Sequence, residues 1–142
     1  MRFTRIAAAF FALLVLGTVR PVRADDLIVI GEWRTESGKS LVCGGEEGHT
    51  LVTIATRAND FYEHGAKKDS PEYEAYWSAL EKALQEGKCF VAAKMHHMPD
   101  TVVYTGPEDL EPTGKRFKVI GTTIKEDGND YPAFTMTTLK VK

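Results

Sequence analysis

Two imidazoles and two thioethers stand side by side in Met95-His96-His97-Met98, half of the chain's four histidines and half of its four methionines. Both donor types suit soft and borderline metals, copper foremost in an oxidising compartment. A strand sends Met95 and His97 to one side and His96 and Met98 to the other, so the four converge only if the strand ends at Pro99. Further ligands would then come from His49, His64 or another methionine, and Trp33 or Trp77 would cover a Cu(I) ion with its ring face. The competing reading is a strand end without metal, because a site takes three or four donors and spacing suggests only two.

The other reactive side chains are Cys43 and Cys89, the only cysteines. A redox-active pair is more often a C-x-x-C at a helix N-terminus, and this separation is far too long for that. In an oxidising compartment the two are expected to pair as a structural staple. Gly38-Lys39-Ser40 looks like the end of a phosphate-binding loop, but the loop's first glycine would fall on Trp33. There is no G-x-S-x-G and no H-E-x-x-H, so neither a serine-hydrolase elbow nor a zinc-protease helix is argued. Glu46-Glu47 and Glu108-Asp109 are adjacent acids in loops, not the facing carboxylates that glycoside hydrolysis needs.

Charge and hydropathy divide the chain in two. Residues 1–24 carry a basic start at Arg2 and Arg5, an unbroken apolar run of 11 residues from Ile6 to Leu16, and the small-x-small Val22-Arg23-Ala24, which together predict a secretory signal cleaved before Asp25. A helix of that run spans about 16 Å, half a hydrocarbon core, so no membrane span is expected after cleavage. Of the 142 residues, 118 remain, with 14 basic and 20 acidic side chains and a net charge of -6. That length predicts a single domain over residues 25–142, and that charge disfavours nucleic acid. A periplasmic or secreted product follows.

The elements that must position these residues read as α+β: two helices packed on a four- to five-stranded antiparallel sheet with one disulfide. Residues 27–30 predict a buried or edge strand, and residues 32–40 a polar loop or turn. Residues 51–62 put Leu51, Ile54, Ala55, Ala58, Phe61 and Tyr62 at helical spacing, with Thr50 as a possible N-cap and Gly65 past the end. Ser70-Pro71-Glu72 opens a second helix whose stripe holds Tyr73, Tyr76, Trp77, Leu80, Ala83 and Leu84, with Trp77 expected as a core anchor. Strands are predicted over residues 89–95, 101–105, 115–125 and 131–141, with a turn at Pro99-Asp100 and a hairpin loop at residues 126–130. Sheet aromatics such as Phe90 and Tyr131 would form a recognition patch if they face away from the helices.

With a lead-in cysteine, a helical stretch, a second cysteine just after a helix, and a hairpin carrying Lys118-Val119-Ile120-Gly121 and Tyr131-Pro132-Ala133-Phe134, the chain resembles small exported bacterial proteins of uncharacterised function. The resemblance implies a disulfide-stapled fold and carries over no active-site residue. The expected function is a non-enzymatic binding or accessory protein of the cell envelope, with a protein or small-ligand partner and no cofactor. The alternative is a periplasmic copper-binding protein using Met95, His96, His97 and Met98.

Overall fold

The computed structural model describes residues 27–107 and 116–142. The predicted signal, residues 1–24, and the pair Glu108-Asp109 lie outside them. In chain order the elements are β1 (Leu27–Ile28), β2 (Arg34–Gly44), α1 (Gly48–Glu63), α2 (Pro71–Gln85), β3 (Cys89–Thr105), β4 (Lys118–Glu126), β5 (Asn129–Thr137) and β6 (Lys140–Val141). The expected α+β class holds. The four long strands are antiparallel, and β5 returns to β2, closing the sheet into a barrel of order β2-β3-β4-β5.

β3 is one strand of 17 residues where the pattern predicted two separated by a turn. Its first half pairs with β2 and its second half with β4, and His97 pairs with both, opposite Arg34 and Ile124. Register shifts between Pro99 and Thr101 and between Val102 and Tyr104 each add one residue to β3 relative to β4. Such bulges bend a strand and increase its twist, which lets β3 wrap the barrel. They also explain Pro99 inside a strand: proline lacks a ladder donor and is tolerated at a bulge.

Residues 34–40, predicted as loop, belong to β2 and pair with β3 despite their polarity. One face of a barrel strand meets water, so polar alternation is compatible with pairing there. A bulge lies between Ser37 and Ser40, where Gly38 takes a φ of 121°. The β4–β5 hairpin turns through Asp127-Gly128 with both φ values positive, at 50° and 79°, the two-residue geometry that suits strand twist. The last predicted strand divides: β6 leaves the barrel and pairs in parallel with β1, burying Ile28 completely.

Both helices end in paired backbone hydrogen bonds of the Schellman type, with Gly65 and Gly87 at positive φ as the sequence signals indicated. The Ser70 hydroxyl caps α2 by accepting from the Tyr73 N–H at 3.1 Å. Thr50 does not cap α1; Glu47 holds the N-cap position, and the Thr50 hydroxyl donates to the Glu47 carboxylate from inside the first turn. α1 buries Leu51, Ile54, Ala55 and Ala58, and the first three form one core with Cys43, Cys89, Val119 and Ala83 of α2.

Trp77 is a correction to the expected core. α2 leans mainly on α1 and reaches the barrel through few contacts with β3, so the far side of its stripe is unpacked. Trp77 is 41% exposed and Leu84 36%. The Cys43–Cys89 disulfide is present, and its two residues are direct register partners of β2 and β3. It encloses both helices at a sequence separation of 46. On the chain-entropy argument, replacing both cysteines with alanine removes about 4 kcal/mol, which urea unfolding of the oxidised protein and the variant measures directly.

Candidate functional site

The Met95 to Met98 string lies in the middle of β3, so Pro99 does not end the strand and the four side chains stay divided between two faces. Met95 and His97 point inward, at 2% and 0% exposure, while His96 is exposed and Met98 is partly covered. Both nitrogens of His97 face protein partners. Nδ1 lies 2.7 Å from the Thr122 hydroxyl and Nε2 3.4 Å from Glu36 Oε1. His49 and His64 stand near opposite ends of α1, about 22 Å apart at 1.5 Å per residue, so both cannot complete one site. Among the described residues, no group of three or more His, Cys, Asp or Glu side chains is arranged to hold a metal ion.

Glu36 ties the barrel interior to the surface. Its carboxylate also meets Arg34 Nε at 3.3 Å, and Arg34 in turn donates to the Leu27 carbonyl at 2.8 Å, linking the polar cluster to the β1–β6 ribbon. The close approach of the His97 imidazole holds the Glu36 carboxyl below the usual carboxylate range; partial burial opposes this and the Arg34 charge assists it. Glu36 therefore carries its negative charge at neutral pH.

From Glu36 the site opens outward. β5 pairs with β2 only over residues 42–44, and the Thr135 hydroxyl, donating to the Leu41 carbonyl at 2.8 Å, stands where that pairing stops. In the gap beyond lies a groove of about 720 Å³ between β2 residues 36–41, the end of β5 and α2. Trp77, Leu80 and Leu84 of α2 line it with Val91, Met136 and Leu139, while Glu36, Ser37, Lys39 and Ser40 give it a polar end. Its volume falls in the range of small-molecule sites, which combine apolar walls with a few placed polar groups.

None of the comparisons, with protein-family models, curated proteins and solved structures, finds a match. The reading of the site rests on this chain's own geometry.

No local sequence signal announces the groove. Its α2 wall is the apolar stripe whose spacing predicts a core face, and its β2 wall is the polar stretch whose composition predicts a loop. Gly38-Lys39-Ser40, which lacks the first glycine of a phosphate loop, forms the β2 bulge along the groove's rim. Phe90, at 55% exposure, and Tyr131, at 49%, lie outside this groove.

The sign of the Glu36 shift sets a pH dependence. A carboxyl depressed in the folded state adds stability above its unfolded pKa, near 4.5, and that contribution is lost as pH falls through the lower folded value. Glu36→Gln is expected to be less stable than the wild type at pH 7, with the gap narrowing as pH drops below 4.5. Thermal melts of the pair across that range measure it, and a gap constant with pH would remove the charge from the account.

Proposed function

We propose that this protein is a non-enzymatic binding or accessory protein of the cell envelope, exported by residues 1–24, that holds a small amphiphile in the groove beside α2. The groove carries the reading: it leaves Trp77, Leu80 and Leu84 without full cover on a domain otherwise rich in charge. Leaving large apolar side chains part-exposed in one concavity forfeits burial energy, at about 25 cal/mol per Å² of apolar surface, which a ligand recovers. The ligand class follows from the walls. An apolar body suits Trp77, Leu80, Leu84 and Met136, and a polar head suits the end lined by Glu36, Lys39 and the Ser37 and Ser40 hydroxyls, which offers both signs of charge.

Export is supported by the sequence of residues 1–24 and by the disulfide, a bond that persists in oxidising compartments. Among the described residues no helix is long and apolar enough to cross a membrane. Mass spectrometry of protein recovered outside the cytoplasm is expected to give a chain beginning at Asp25 and two hydrogens lighter than the dithiol form.

Binding is tested with dodecylamine below its micellar concentration, using a Trp33→Phe protein so that Trp77 is the only tryptophan, excited selectively over the tyrosines. A saturable blue shift of Trp77 emission is expected. Leu84→Glu, at a half-open position that should not disturb folding, is expected to weaken it at least tenfold. Comparison with dodecanoate shows whether Glu36 or Lys39 governs the choice of head. If neither alkyl chain shifts the emission, the groove reading fails.

A further inference from the structure

Two charged side chains line the groove, Glu36 and Lys39, and their surroundings differ. The Oε1 atom of Glu36 is closed to solvent, with Arg34 Nε at 3.3 Å and His97 Nε2 at 3.4 Å. The Ser40 hydroxyl bonds the same carboxylate. Arg34 therefore offsets the Glu36 charge locally, and a cationic ligand would compete with a guanidinium already seated there. Lys39 is the opposite case. It is exposed, it lines the groove, and it stands in none of the ion pairs formed among the described residues. It belongs to the β2 bulge, where Gly38 and Lys39 have no register partner in β3, and β5 meets β2 only from Val42 onward. The residue stands on an unpaired rim of the sheet, beside the Ser37 hydroxyl.

We propose, resting on the groove as the binding site, that its ligand carries an anionic head: a single-chain amphiphile of the fatty-carboxylate class, with Lys39 as the residue that selects the head. The balance of charge at the polar end carries this. Arg34 and Lys39 supply two positive charges against the one negative charge of Glu36, which leaves the Lys39 ammonium uncompensated. A carboxylate placed between that ammonium and the Ser37 hydroxyl accepts hydrogen bonds from both, and the one to the ammonium is charge-assisted. The apolar walls serve either head equally, so the sign of the head decides the preference. The net charge of -6 on residues 25–142 does not reverse it. At physiological salt the Debye length is about 8 Å, so distant acids are screened and the ammonium at the rim dominates. The preference is that of an exposed ion pair, a few-fold in affinity.

Titration of the Trp33→Phe protein with dodecanoate and with dodecylamine, both below their micellar concentrations in physiological salt near neutral pH, compares the two heads in their ionised forms. Dodecanoate is expected to bind about threefold or more tightly than the amine. Lys39→Gln is expected to abolish that preference by weakening dodecanoate, Lys39→Arg to retain it, and Lys39→Glu to reverse it. Glu36→Gln is expected to leave dodecanoate the tighter ligand, because the Glu36 charge is already met by Arg34. Circular dichroism establishes that each variant is folded. Equal binding of the two, tighter binding of the amine, or a preference that survives Lys39→Gln overturns the assignment of the head while the groove stands. No emission shift with either chain removes the groove, and the head assignment with it.

Discussion

The Cys43–Cys89 bond is the constraint through which the two halves of this domain are held in one arrangement. Its cysteines are paired residues of β2 and β3, and the whole helical segment is inserted between them. A ladder between strands so far apart in sequence must close a long loop before its hydrogen bonds contribute, which is slow and entropically costly. The covalent link carries much of that cost in the unfolded chain. It also sets where the helices leave and rejoin the barrel: Gly44 follows one cysteine and leads into α1, and Cys89 comes directly after the end of α2. Both cysteines belong to the same buried cluster as Leu51, Ile54 and Ala83, so the staple is part of the packing that seats α1.

With only four strands, the barrel has a narrow interior filled by side chains instead of a ligand. Its inward set includes Val42, Met95 and Ala133, but also His97, Thr122 and Thr135. Buried polar groups cost folding energy unless they are partnered. Here His97 meets Thr122, and Thr135 donates to the Leu41 carbonyl. The polar chain from Thr122 through His97 to Glu36 and Arg34 reaches the N-terminal ribbon, so interior order and terminal docking are connected. Asn59 performs a similar task at the α1 interface, accepting from the Phe117 N–H and approaching Tyr104. Gly106 lies so close to Asn59 that an added Cβ would overlap its side-chain amide, which explains a glycine there.

Local signals in the sequence identified what local chemistry decides. Ser70-Pro71 and Gly87 bounded α2, Gly65 ended α1, and the turn-forming Asp127-Gly128 lay within the predicted hairpin loop, because caps and turns depend on a few neighbouring residues. Strand continuity was another matter. Pro99-Asp100 carries a turn composition, yet β4 supplies a partner on which the extra residues are absorbed as bulges. Residues 34–40 lack a hydrophobic run, and their strand exists because β3 is held beside them. The alternation of Met95 to Met98 was legible and is seen, but the side facing the interior depended on the barrel, which no local pattern announces.

The groove arises from the same conflict between local pattern and tertiary placement. An amphipathic helix normally buries its whole stripe, and α2 has enough apolar residues to do so. Fixed at its end by Cys89 and leaning on α1, it cannot also settle onto the strands where β2 and β5 part. Trp77 and Leu84 are left over that gap, and the β2 bulge at Ser37 to Ser40 supplies the opposite wall. A helix free to tilt would close the space by local repacking. Tethered at the base of the barrel and buttressed by its neighbour, α2 keeps it open, and the packing that stabilises so small a domain also preforms this groove.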